Sequence, residues 1–283
     1  MATNTDFLQA ILANPEEDAP RLIFADWLEE QGQSDRAEFI RGQCELAQLT
    51  EEHPRYKLLA AQMETLRAGH ETEWLPSFLS KVPYRWERGF VSCLWTSPRI
   101  FLAIAPKLFT WEPVQHLQFT IDDEKRSDHA QLVKCMADLG HSPWLEKIRT
   151  LNLYDIPIGD RGLEVLLTHG VPRLQNLRTL YLFCAELTNA SVGSLVAARL
   201  PACTTLSLDL NRFTDEGVIR FAKELDWPAL TKLHLCFNNF QAAGAEALVK
   251  ATRLAHVMLD LRCNRLSDSA KERLKRYAPR VTL

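Results

Sequence analysis

One phrase recurs through the second half of this chain and restricts its fold more than any other feature. Leucine, one intervening residue and a second leucine stand at 151 and 153, 180 and 182, 206 and 208, 233 and 235, and 259 and 261, at intervals of 29, 26, 27 and 26 residues. An interval that long holds a short strand, a turn and a helix, and a unit of that size cannot bury its apolar face alone. The leucines of a strand fall on one side because successive residues alternate faces. Neighbouring units must therefore stack, and the alternate residues are pushed to the opposite face.

The third residue after the second leucine is Asn211, Asn238 and Asn264 in the last three copies, and Ile156 and Ala185 in the first two. A buried asparagine can bond backbone groups left open where the strand turns away, which a hydrophobe cannot. Helix starts follow the strands: Thr188-Asn189, Thr214-Asp215 and Ser267-Asp268 offer capping side chains before apolar runs at three and four spacing. The register extends back to Leu117 and Val91, which lie 34 and 60 residues before Leu151, giving about seven units. The last helix, KERLKRYAPRVTL, is expected to close the C-terminal end.

These strands and helices resemble the leucine-rich repeat, and the interval is similar to the long, ribonuclease-inhibitor-like class. That resemblance implies an α/β leucine-rich-repeat solenoid, a right-handed β-α horseshoe segment, over residues 90–283. It also implies a protein-binding scaffold.

Residues 1–49 differ in kind. They hold ten acidic and three basic side chains, a balance of −7, against +4 for the rest of a chain whose net charge is −3. Apolar Phe7, Leu8, Ile11 and Leu12, a break at Asn14-Pro15, a second run through Leu22, Ile23 and Trp27, and a stop at Gly32 fit three short helices. The motifs A-P-R-L-x-x-A-D-W-L-E-E and R-A-E-F-I-R-x-Q, at 19–30 and 36–43, resemble the small bacterial repeat-companion domain, for which no activity can be carried over. A repeat array needs polar-faced terminal units, so the acidic helices are expected to form a small helical N-terminal cap with Trp27 inward. Residues 50–89 are expected to be a helical linker docking on the array, ending in Arg85-Trp86-Glu87-Arg88-Gly89-Phe90, which is similar to the join between such a domain and its repeats. Arg21, Arg36 and Arg41 are assigned to fold maintenance, Arg21 through local ion pairs with Asp18 and Asp26.

Between and beside the leucines, the residues facing the concave side should be Thr150, Asn152 and Tyr154; Thr179, Tyr181 and Phe183; Thr205, Ser207 and Asp209; Lys232, His234 and Cys236; and Met258, Asp260 and Arg262. The aromatic patch Tyr154, Tyr181 and Phe183, with Asn152, Asp209, Lys232, His234, Asp260 and Arg262 beside it, is the expected partner-binding face. Exposed aromatics with mixed charge are the composition of protein interfaces. An alternative is a regulatory or substrate subunit of a larger bacterial enzyme system, attacked by a partner protease in the polar loop Asp122 to Asp128.

A third reading is a thiol enzyme built on Cys236, His234 and Asp209. It is disfavoured because residues two apart on an open strand make neither a triad nor an oxyanion hole. The chain is read as non-enzymatic and without cofactor: it has no phosphate-cradling glycine loop and no nucleophile elbow, and His116, His141, His169 and His256 lack metal-ligand spacing. Seven dispersed cysteines signal neither zinc nor disulfides. No basic field gathers nucleic acid, the tail bases Lys271, Arg273, Lys275, Arg276 and Arg280 reading as a solvated helix face. The absence of an apolar span and of a signal-like start points to a cytoplasmic protein with an unidentified protein partner and no membrane contact.

Overall fold

The computed structural model describes residues 3–121, 128–277 and 279–283. Its backbone contacts divide it into two compact units, Met1–Trp95 with Ala103–Gln115, and Thr96–Leu102 with His116–Leu283.

The first unit contains α1 (Asn4–Ala13), α2 (Ala19–Glu30), α3 (Ser34–Leu46), α4 (Tyr56–Trp74) and the antiparallel pair β1 (Tyr84–Glu87) and β2 (Phe90–Thr96), while α5 (Pro98–Leu108) runs across the division. Asp18-Ala19-Pro20 starts α2, with proline where a helix has no use for an N–H. Its inward face is Arg21, Phe24, Ala25 and Leu28, which pack with Ile11, Ala37, Ile40, Cys44 and Phe90. Leu22 and Ile23, part of the apolar run that marks this helix, are turned to solvent at 39% and 57% exposure. A helix buries positions spaced by three and four, and the phase set by Phe24 and Leu28 selects Arg21. Trp27 is half-buried, stacked on Phe24 and tilted against Phe7.

Arg21 is not paired as expected, because Asp26 instead meets Arg41 at 2.6 Å. Arg21 donates to the carbonyls of Glu17 and Pro15 at 2.6 and 2.8 Å and lies over the Phe90 ring. Arg36 is also buried, ringed by Phe39, Trp74, Trp86 and Phe90 at 5.0–5.6 Å and donating to the carbonyl of Gly89 at 2.7 Å. Burial lowers its guanidinium to about 10, so the charge persists at neutral pH. The Arg85–Phe90 segment is a tight hairpin with Arg88 at φ 50 and Gly89 at φ 81. A side chain at Gly89 would stand 2.6 Å from Ile40 Cγ1, so both conformation and space demand glycine there.

The second unit alternates strand and helix: β3 (His116–Phe119), α6 (His129–His141), β4 (Thr150–Asn152), α7 (Gly159–Gly170), β5 (Thr179–Tyr181), α8 (Val192–Ala198), β6 (Thr205–Ser207), α9 (Asp215–Glu224), β7 (Lys232–His234), α10 (Ala242–Lys250), β8 (Met258–Asp260), α11 (Asp268–Leu274) and β9 (Val281–Thr282). The strands pair in parallel and in chain order, with Leu117, Leu151, Leu180, Leu206, Leu233 and Leu259 in one register. All six are at most 1% exposed, and each strand lays its leucine on its neighbour's. Helix faces such as Val218, Phe221 and Ala222 of α9 close over them.

The terminal segment differs from expectation. α11 stops at Leu274, and Val281–Thr282 pairs with β8 as a strand. Pro279 cannot continue a helix, and Val281 gains burial beside Leu259. Arg280, read as a solvated base, donates to the carbonyls of Val249, Leu254 and Val257 at 2.8–3.4 Å.

Two ladders join the coils. Asn211 Nδ2 donates to Leu182, Leu208 and Asp209 carbonyls while its Oδ1 accepts from Ala185 and Leu187 N–H groups. Asn238 and Asn264 repeat the pattern one and two coils on. The second ladder lies at the helix starts. Asp160 accepts from the Thr188 N–H and hydroxyl, Asn189 from the Thr214 N–H, and Asp215 from Gln241 and Gly244 N–H groups, each capping the following coil. Gly217 and Gly244 make room: a Cβ there would lie 2.3 and 2.7 Å from the capping oxygens of Asn189 and Asp215.

Candidate functional site on the strand face

The residues between the leucines share the face opposite the core. The register sets Asn152, Tyr181, Ser207, His234 and Asp260 in one row across β4 to β8. A second row, two residues on, is held by backbone bonds from Asp155 N to Phe183 O, Cys184 N to Asp209 O, Leu210 N to Cys236 O and Phe237 N to Arg262 O, at 2.9–3.1 Å. That row carries Tyr154, Phe183, Asp209, Cys236 and Arg262.

Tyr154 and Phe183 stack at 4.5 Å between centroids with an interplanar angle of 15°. Adjacent coils hold the rings together, and Tyr154 is 48% exposed. Asn152 accepts from the N–H of Tyr154 at 2.9 Å and so orients the base of this pair. Tyr181, one residue row away on the same strand as Phe183, is 36% exposed, and Met258 is 46% exposed two coils beyond Ser207.

Past this row the backbone turns through the left-handed region in five successive coils, at Asp155, Cys184, Leu210, Phe237 and Cys263, with φ from 52 to 58. None is glycine, and each such residue carries a conformational cost of about 1 kcal/mol. The asparagine ladder following three of these turns supplies the bonds that hold it. Leu210 and Phe237 are 41% and 54% exposed at these turns. The sequence reading did not reach them, because their exposure follows from a backbone reversal that no local propensity announces.

The polar end of the face is neutralised internally. Arg262 grips Asp260 with Nε and Nη2 at 2.8 and 2.7 Å. Burial would raise the Asp260 carboxyl, but the Arg262 bonds outweigh it and hold it at about 2. Asp209, half-buried, accepts from the Cys236 N–H at 2.6 Å and the Ser207 hydroxyl at 3.1 Å, and burial raises its carboxyl. His234 Nδ1 lies 3.8 Å from Asp260 Oδ2. Lys232 projects into solvent.

Two expected surface residues are buried: Ser207 at 4% and Cys236 at 7% exposure. Asp209 accepts from the Ser207 hydroxyl and from the backbone N–H of Cys236 beside them. Burial and the neighbouring acids Asp260 and Asp209 push the Cys236 thiol up to about 12. An attacking cysteine needs the opposite shift, so the thiol of this trio is not an activated nucleophile. Among the described residues no cluster of three or more His, Cys, Asp or Glu is placed to hold a metal ion. No described helix is long and apolar enough to cross a membrane. The loop named as a point of attack falls outside the described residues except for Asp128, whose side chain caps α6 by accepting from Gln131 N–H at 2.9 Å.

The coil pairs β6–α9 and β7–α10 coincide with the two segments, 204–222 and 228–249, matched by the family model Leucine Rich repeat. These two coils are similar to leucine-rich repeats. No curated protein matches the chain. Repeats of this type generally mediate protein–protein interaction.

Proposed function

We propose that this protein is a non-enzymatic interaction module that binds a partner protein through the strand face of a ribonuclease-inhibitor-like solenoid, with Asn152, Tyr154, Tyr181, Phe183, Asp209, Lys232, His234, Asp260 and Arg262 contributing to the contact. The observation that carries the reading is the run of exposed large hydrophobic groups on consecutive coils. Tyr154, Tyr181, Leu210, Phe237 and Met258 are 36–54% exposed, all on the strand side or its turn. Singly scattered apolar residues need no explanation, whereas one on each of five successive strand segments or their turns supports a recognition surface. Within it the roles divide. The stacked Tyr154 and Phe183 anchor, Asn152 and the Asp260–Arg262 pair orient polar groups at the margin, and Lys232 and His234 supply charge. The N-terminal helices, read as a bacterial repeat-companion-like domain, belong to a cytoplasmic scaffold in this account.

The test is a pull-down of the full chain from its host with protein identification, repeated with a Tyr181→Ala, Phe183→Ala double variant. Loss of a specific partner from the variant at unchanged thermal stability supports the reading. Retention of every partner at full yield refutes it.

A further inference from the structure

Unit one carries an open strand edge. In the β1–β2 pair Trp95 N–H bonds to Pro83 O at 2.9 Å, and Glu87 and Phe90 close the hairpin. Alternation then directs the backbone N–H and C=O of Tyr84 away from β2; the register shifts between Arg85 and Trp86, and beyond that shift the Glu87–Phe90 pair at the turn sets the N–H and C=O of Trp86 outward in its turn. Val91, opposite Trp86, shows the same parity, because its N–H turns from β1 to bond Glu112 Oε2 at 2.8 Å. Among the described residues no group bonds the outward N–H or C=O of Tyr84 or Trp86.

This edge forms one wall of a trough. The opposite wall is α4 from Tyr56 to Glu71 with Gln43, Leu46 and Ala47 of α3, and the trough encloses about 560 Å³ alongside Arg85 to Arg88, continuing past Pro83 and Tyr84. Its floor is apolar, with Met63, Ala60 and Trp86. The Trp86 indole is 8% exposed, and its Nε1–H has no acceptor among the described residues. The rim cations are already answered: Arg67 meets Glu64 at 2.6 Å and also Glu71, Arg85 meets Glu87 at 2.8 Å, and Arg88 meets Asp18 at 2.8 Å.

We infer that this trough binds an extended segment of a partner polypeptide without acidic side chains, which adds as a strand to the free edge of β1. Unpaired strand edges are templates for this pairing. The chemistry of the occupant follows from the walls. Alternating donors and acceptors on Tyr84 and Trp86 match an extended backbone, and with Arg67, Arg85 and Arg88 already paired and Glu51 also on the wall, no free cation among the described residues there attracts an acidic side chain. The site lies on different residues from the strand face of the repeats and does not depend on that proposal.

The probe is a displayed library of random linear decapeptides selected on the full chain, with the best clone made as a synthetic peptide. Its affinity is then measured on wild type, Tyr84→Ala and Tyr84→Pro. Proline removes the outward N–H of residue 84, which β2 does not use; because it also fixes φ at 84 and restricts Pro83, the variant's thermal unfolding is matched to that of Tyr84→Ala before affinities are compared. The alanine variant controls for loss of the tyrosine ring and its bond to Glu71. The expected result is a peptide rich in β-branched residues and free of acidic ones that binds wild type and Tyr84→Ala alike and loses at least tenfold on Tyr84→Pro. Amide exchange gives a readout on wild type alone: the bound peptide should slow exchange at Trp86 at least tenfold and leave Leu206 and Leu233 unchanged. Equal binding to Tyr84→Pro, an unprotected Trp86 amide, no enriched peptide, or a chain that dimerises through this edge overturns the inference.

Discussion

Replacing Asn238 tests whether the asparagine ladder holds the coils together. Its Nδ2 donates to Leu208 O, Leu235 O and Cys236 O at 3.0–3.2 Å, and its Oδ1 accepts from Phe213 N–H at 3.0 Å. In Asn238→Ala these losses are unequal. Leu208 O keeps Asn211, Leu235 O keeps Asn264 and Cys236 O keeps the N–H of Leu210. Only the Phe213 N–H loses its sole partner. One orphaned buried donor costs about 1–3 kcal/mol and three half-satisfied carbonyls add fractions of that, giving roughly 3 kcal/mol in total. Asn238→Asp separates hydrogen bonding from volume. It keeps an acceptor for Phe213 but sets a carboxylate against three carbonyl oxygens, so at pH 7 it should be less stable than alanine, with the gap closing as acid protonates it. Urea unfolding of the full chain should rank wild type above alanine above aspartate, and the alanine variant should melt about 6–12 °C lower. Exchange at the Phe213 amide should rise even if the coils open locally. An alanine cost below about 0.5 kcal/mol, or an aspartate as stable as alanine at pH 7, would refute the ladder argument.

Gly244→Ala places a Cβ 2.7 Å from Asp215 Oδ1; it should break that inter-coil cap at a cost of about 1–2 kcal/mol, and Asp215→Ala in the same chain should make it nearly neutral, measured by urea unfolding. Burial raises the Glu112 carboxyl to about 7 from 4.5. A raised folded value means the folded state holds the proton more tightly, so this group's contribution is full below about pH 4.5 and is lost as pH climbs through 7, by about 3 kcal/mol at most. Melting temperatures of Glu112→Gln from pH 4.5 to 8 should lack that decline, and a parallel decline in the variant would remove Glu112 as its source. Iodoacetamide at pH 8 should label exposed Cys263 and spare Cys236, which mass spectrometry of the folded protein reports; rapid alkylation of Cys236 would contradict its burial.

The alternation of leucines and the interval between copies specified parallel strands, intervening helices and one register without reference to anything distant, because each copy states the same local geometry. The asparagine positions were legible for the same reason: a polar residue at a fixed offset in an apolar frame must bond the backbone that turns there. Elsewhere local pattern was insufficient. Leu22 and Ile23 carry more apolar area than Arg21, yet the helix phase fixed by Phe24 and Leu28 turned them out and the arginine in. Cys236 occupies an outward position of its strand and is nonetheless buried. The exposed Leu210 and Phe237 depend on a left-handed turn that costs energy locally and is secured by side chains one coil away. Sequence determined what each coil must be, since that is set by residues within it. Tertiary structure decided which side chains reach solvent, since that is set by residues about 26 positions away.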